Sequence, residues 1–212
     1  MKLSIKLILA LGLAVTALFA HAAAYEDMLR AIANGDNGTV SSLLQKGMDV
    51  NTVDKEGDSL LMKAAKEGNL NVLKTLLAAK PKVAALNSFG ESALMMASIK
   101  GHLEAVKTLL AEGAQIDHAG WTPLMYAASM NRVEVMRLFL VRGAKIDAAN
   151  ATGLTALMLA AREGQTQALL LLMEYGANVS NKAPNGYTAL QAAKQRNNDE
   201  IARILVKAGA KE

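Results

Sequence analysis

The feature that most constrains this chain is a repeat. Glycines stand at Gly57, Gly90, Gly120, Gly153 and Gly186, so successive spacings are 33, 30, 33 and 33 residues. Two positions after each lies Ser59, Ser92, Thr122, Thr155 or Thr188, and four after lies Leu61, Leu94, Leu124, Leu157 or Leu190. Seven after is always alanine: Ala64, Ala97, Ala127, Ala160 and Ala193. Nineteen after stand Leu76, Leu109, Phe139, Leu172 and Leu205. Twenty-three after come Gly113, Gly143, Gly176 and Gly209, with Lys80 the exception. Self-similarity at this period marks one supersecondary unit stacked along a solenoid.

Each unit holds two short amphipathic segments, parted at Gly68, Gly101, Asn131, Gly164 or Asn197. Gly and Asn tolerate the left-handed backbone that ends a helix. The Ser or Thr can cap the first segment by accepting from its exposed amides. Pro123 falls at a first helical position, where its missing N–H costs nothing. Hydrophobic residues make up 52% of the chain but aromatics only 4%, so the core must be built from Ala, Leu, Val and Met. Such a core suits short helices in close contact. One helix pair cannot bury its apolar faces alone, so neighbouring units must supply the rest. Gln191, Lys194, Asn197, Asn198 and Asp199 fit a polar capping unit at the C-terminal end.

Two runs carry a family resemblance. Gly120-Trp121-Thr122-Pro123-Leu124-Met125-Tyr126-Ala127-Ala128 is similar to the ankyrin pattern G-x-T-P-L-H-x-A-A. The run from Gly101-His102-Leu103 through Leu109-Leu110 to Gly113-Ala114 resembles the later half of an ankyrin unit. The resemblance implies an all-α ankyrin-repeat solenoid of helix-turn-helix units joined by hairpin-like finger loops. It spans one domain, residues 25–212, in units of approximately 25–53, 54–86, 87–116, 117–149, 150–182 and 183–212.

The chain departs from that family in three ways. The usual histidine five after the glycine is replaced by Met62, Met95, Met125, Met158 and Gln191, so its hydrogen bond between units is expected to be missing. Lys80-Pro81 replaces the usual Gly-Ala, and Pro81 disfavours helical geometry at Lys80, so that helix should stop differently. Gly113 to Gly120 spans 7 residues where Gly143 to Gly153 spans 10, so one finger lacks three residues. The expected result is a notch beside Trp121. His102 matches the family's Gly-His pair between helices, which implies a structural role.

Residues 1–24 read as a signal peptide with Lys2 and Lys6 before an apolar run over residues 7–20. That run is shorter than the roughly 20 residues of a membrane-spanning helix. Ala20-His21-Ala22 and Ala22-Ala23-Ala24 offer alternative cleavage sites, and an uncleaved anchor is the competing reading. Export to a bacterial periplasm is the expectation. Without Lys2 and Lys6 the 23 basic residues fall to 21 against 19 acidic, which leaves no bulk charge for nucleic acid or a membrane surface. No cysteine is present, which excludes thiol catalysis, disulfides and thiolate metal sites.

Enzymatic chemistry needs a constellation of groups, and none is visible. His102 and His118 are the histidines left after cleavage, and no catalytic residue, cofactor or metal is assigned. The Met ladder could in principle attract a soft metal such as Cu(I), but core packing is the favoured reading. A small-ligand or copper binder built on the Met and aromatic cluster is the runner-up. The leading reading is a monomeric, exported, non-enzymatic module that binds another protein as adaptor, protective factor or immunity protein. In ankyrin proteins the concave face of fingers and inner helices meets the target. Transferred to this chain, the outward positions of the first full unit are Lys55, Glu56, Asp58, Lys63, Lys66 and Glu67, an ordinary solvated set. The central units instead place Phe89, Met96, Ile99, Trp121, Tyr126, Met130, Leu154 and Leu159 there, and the last unit adds Tyr187. Glu91, Arg162 and Arg196 complete the set as a polar rim. Exposed aromatic and apolar clusters of this kind mark interaction sites.

Overall fold

The computed structural model describes residues 22–211. Helix α1 covers residues 22–34, and α2 covers Asn37–Gln45. The pairs then recur: α3 (Leu60–Glu67) with α4 (Leu70–Ala78), α5 (Ala93–Lys100) with α6 (Leu103–Ala111), and α7 (Pro123–Ser129) with α8 (Val133–Val141). The last are α9 (Ala156–Arg162) with α10 (Thr166–Glu174) and α11 (Ala189–Gln195) with α12 (Asp199–Lys207). The first helices pack in a row, α3 on α5 on α7 on α9 on α11, and the second helices form a parallel row behind them. The described residues contain no strand, only three isolated bridges in the fingers, Val53–Ser59, Ala149–Thr155 and Lys182–Thr188. This is the expected all-α solenoid.

The repeat pattern maps directly onto packing. Ala64, Ala97, Ala127, Ala160 and Ala193 are all fully buried where first helices meet. Leu76, Leu109, Phe139, Leu172 and Leu205, from the second row, are buried equally completely. Alanine keeps the inner row close, and the larger residue fills the gap to the outer row. Each first helix is capped as expected. The hydroxyls of Ser59, Ser92, Thr122, Thr155 and Thr188 accept from the amides three residues on, at 3.2–3.4 Å. Losing such a cap costs about 1 kcal/mol.

The methionine ladder is core. Met62, Met95, Met125 and Met158 are at most 1% exposed. In the first three of these units the thioether accepts the cap residue's own amide, Ser59, Ser92 or Thr122, at 3.4–3.5 Å. These sulfurs serve their own helices and make no link between units. That link moves to the residue opening the second helix in the last four units. His102 Nε2 lies 3.1 Å from the Lys66 carbonyl, and Arg132 Nε donates to the Ile99 carbonyl at 2.9 Å. Gln165 donates to Ser129 O at 3.1 Å, and Asn198 to Ala161 O at 2.8 Å. Asn198 is therefore an inter-unit strut and not simply a polar cap. Gly68 leaves room for the His102 ring, since a Cβ there would sit 2.5 Å from it.

One expectation fails at Lys80. Helix α4 ends as its counterparts do, with Ala79 as cap, and Lys80 takes φ +57°, the left-handed backbone held by glycine in the other units. Pro81 disfavours only the right-handed helical region at Lys80, and the repeat's geometry imposes the turn despite a side-chain cost of about 1–2 kcal/mol.

Candidate partner-binding face

The fingers explain which side chains stand free. Three of them are built around an Asp or Asn three residues before the glycine. Asp54 Oδ1 accepts from the amides of Glu56 and Asp58 at 3.0 and 2.8 Å. Asn87 accepts likewise from Phe89 and Glu91 at 3.0 and 2.9 Å. Asn150 accepts from Thr152 and Leu154, both at 3.0 Å. Each hairpin is closed by the same residue's own amide, to Asp58, Glu91 or Leu154.

The finger before Trp121 is different. Asp117 stands three before Gly120, yet it accepts from the Lys145 amide at 3.1 Å. Asn51 makes that same bond to Lys82 at 2.8 Å, and Asp147 to Asn178 at 3.1 Å. Asp117 is thus the equivalent of Asn51 and Asp147, and the three missing residues lie between Asp117 and Gly120. The deletion removes the residue that would turn and close the hairpin. No closing bond forms there among the described residues.

The notch follows from this. A Cβ on Gly57 would meet the next finger, 3.2 Å from the Ser88 amide nitrogen, and one on Gly153 would lie 2.9 Å from the Ala183 Cα. The same test at Gly90 and Gly120 meets nothing within 4 Å. Fingers touch on both sides of the molecule and part in its centre.

Phe89 stands on the finger that faces the gap and is 73% exposed. Trp121 is half-buried against the core, with its ring 5.0 Å from that of Tyr126 and tilted by 32°. Met130, at the end of the same helix, is 47% exposed. The Tyr126 hydroxyl donates to Glu91 at 2.9 Å. Burial, then that bond and the Glu91 charge, push the Tyr126 phenol far above its ordinary value, so it stays a neutral donor.

From Glu91 a side-chain hydrogen-bond chain continues toward the N-terminal end. Asn87 Nδ2 donates to Glu91 at 3.0 Å and to Asp58 at 2.7 Å. Lys63 donates to Asp58 at 2.9 Å and also pairs with Asp54. Burial alone would raise the Asp54 carboxyl, but the Lys63 hydrogen bond and the finger amides outweigh it and leave it lowered. Burial likewise works against the Lys63 charge, and the two carboxylates overcome it and hold the ammonium above its usual range. The expectation that Asp58 and Lys63 belong to an ordinary solvated set is therefore wrong. Each keeps only 16% and 27% of its side chain exposed, because their charges find partners at the finger base.

Other expected members are corrected too. Leu159 is fully buried and Met96 only 9% exposed. Their position, six after the glycine, lies on the flank of the inner helix, where neighbouring helices cover an apolar side chain. Lys63 and Tyr126 occupy the same position and extend polar tips out to carboxylates. Ile99, Leu154 and Tyr187 are half-buried, the last two packed against the core. Arg162 is paired with Glu163 at 2.7 Å, and Arg196 is exposed at the C-terminal end. The structure links Glu91, Tyr126 and Trp121 directly, with exposed Phe89 two residues before Glu91 and exposed Met130 at the end of the helix that carries Tyr126. Asn87, Asp54 and Asp58 were missed as structural determinants. Their sequence signal was an Asx residue three before the glycine or a carboxylate one after it.

The family pattern described as ankyrin repeats (3 copies) matches residues 21–119, 79–150 and 138–212. The chain belongs to the ankyrin-repeat family. A solved chain from the complex of the Bd0816 predatory endopeptidase of Bdellovibrio bacteriovorus with immunity protein Bd3460 superposes with a TM-score of 0.75 at 33% identity, covering 85% of this chain and 97% of that one. No curated protein matches the sequence. The export signal lies outside the described residues except for Ala22–Ala24, which fall in α1. No helix among the described residues is long and apolar enough to cross a membrane.

Proposed function

We propose that this protein is an exported immunity protein that inhibits an endopeptidase in the periplasm by occupying it, without chemistry of its own. The observation that carries the reading is the likeness, along nearly the whole of that solved chain, to a complex pairing an endopeptidase with an immunity protein. The geometry supports it. Exposed Phe89 and the half-buried Trp121–Tyr126 pair stand beside an opening between fingers, and aromatic side chains dominate binding hot spots. The face carries hydrogen-bonding groups of its own in Asn87, Glu91 and Tyr126. Periplasmic placement rests on the basic start, the apolar run and the paired A-x-A sites of residues 1–24.

The test uses the gene product purified from periplasmic extract, with Bd0816 as the probe endopeptidase. Expected are loss of peptidase activity that saturates at equimolar protein, a stable complex by size exclusion, and an intact mass lacking residues up to Ala22 or Ala24. Full activity and no complex at large excess would overturn the inhibitor reading. Recovery of the uncleaved chain in the cytosol or membrane would overturn its placement.

A further inference from the structure

We infer that Asn87 is the positioning residue of the concave face, one buried amide from which both its projecting phenylalanine and its tryptophan–tyrosine pair are held. The inference rests on the reading of this face as the binding site. Asn87 is 7% exposed, and its amide uses its full capacity. Oδ1 takes the amides of Phe89 and Glu91, which fixes the finger that carries Phe89. Nδ2 gives one proton to Asp58 and the other to Glu91. Glu91 accepts the Tyr126 hydroxyl with its second oxygen, and Tyr126 lies against Trp121.

The chain therefore alternates strictly: Lys63 donates to Asp58, Asn87 donates to Asp58 and to Glu91, and Tyr126 donates to Glu91. Only a residue with two N–H donors can sit between two carboxylates in this way. The same finger position is Asp54 in the preceding unit, where it builds an equivalent turn with a carboxylate oxygen. Aspartate at position 87 would thus keep the turn and lose both donors, placing a third carboxylate against two others. Holding aromatic groups rigid before binding lowers the ordering cost of association, which is the advantage this arrangement gives the face.

The experiment separates the two functions of the amide. Trp121 is the only tryptophan of the chain, so its intrinsic fluorescence reports on the pair directly. In Asn87→Asp, Trp121 emission should shift to the red and acrylamide quenching rise about twofold, while helical content and the cooperativity of melting persist. Tyr126→Phe, which cuts the chain at its far end without touching the finger, should give the same spectroscopic change. Asn150→Asp, the equivalent substitution in a finger whose amide bridges no carboxylates, should change nothing. Inhibition of Bd0816 should weaken about tenfold in Asn87→Asp and Tyr126→Phe, the scale of one hydrogen bond to a charged group. Unchanged Trp121 emission and quenching in both variants would overturn the positioning role, as would normal inhibition despite a displaced tryptophan. If Asn87→Asp fails to fold, Tyr126→Phe decides alone. If the wild-type protein does not inhibit Bd0816, the functional reading falls, and the fluorescence result still decides whether Asn87 positions the pair.

Discussion

The finger carrying Phe89 and the finger before Trp121 occupy equivalent places in adjacent units and differ by three residues. In the first, Asn87 turns the chain and closes the hairpin, and Ser88 ties it to the Glu56 carbonyl at 2.6 Å. In the second, the turn-forming residue is gone, while Asp117 still tethers the next unit and Thr122 still caps α7. The deletion therefore changes the surface without disturbing the helical rows beneath it, where Ala127 stays fully buried. Loops of a solenoid can vary in length while its helices keep their register, because backbone hydrogen bonds and burial are satisfied separately in each. Function can then be written into the gap.

The largest expected effect tests whether the fingers really part in the centre. Gly153→Ala should destabilise by about 3 kcal/mol, summing left-handed strain and collision with the neighbouring finger. Gly90→Ala has the same strain and open space, so it should cost only about 1 kcal/mol. Denaturant melts of the two variants measure the difference directly, and equal costs would mean that no gap exists.

Next in size is binding. Phe89→Ala should weaken complex formation with Bd0816 by about thirtyfold, or about 2 kcal/mol, with little change in melting temperature because the ring is exposed. Lengthening the short finger by three residues, so that it reaches its neighbour, should impair binding in the same direction with Phe89 intact. Normal affinity of the lengthened variant would show that the notch is incidental to recognition.

The smallest effect is electrostatic and belongs to the closed side of the comparison. Asp54 titrates below its usual 3.8 in the folded protein, so its contribution is present above that pH and is lost as pH falls through the folded value. Lys63 titrates above its usual 10.5, so its contribution is complete below that pH and lost as pH rises through the folded value. Stability should hold level between these limits and decline outside them. Lys63→Met should flatten both declines, as followed by chemical melts across pH, whereas substitution of Asp117 in the short finger should leave the alkaline decline intact.

The repeat made most of the architecture legible. Gly, Thr, Leu and Ala at fixed offsets specify cap, buried contacts and helix end, each a local requirement satisfied within one unit. The notch was legible as well, since counting residues between Gly113 and Gly120 needs no coordinates. The candidate site was legible only in part. Phe89, Trp121, Tyr126 and Met130 stood out by residue type, but Leu159 and Met96 shared the same register and are buried. Register fixes the direction in which a side chain leaves its helix. Whether that direction ends in solvent depends on what the neighbouring unit places above it.

Sequence alone thus determined the unit, its period, its caps and its missing finger residues, because these follow from interactions between positions close along the chain. The tertiary structure alone decided that Lys63, Asp58, Asn87, Glu91 and Tyr126 form one connected line across three units. Its cross-unit hydrogen bonds join residues 29 and 35 positions apart. Each partner is an unremarkable polar residue until stacking brings it within 3 Å of the next. Hydrogen bonds are directional and short-ranged, so a network of this kind exists only where the fold sets every distance at once.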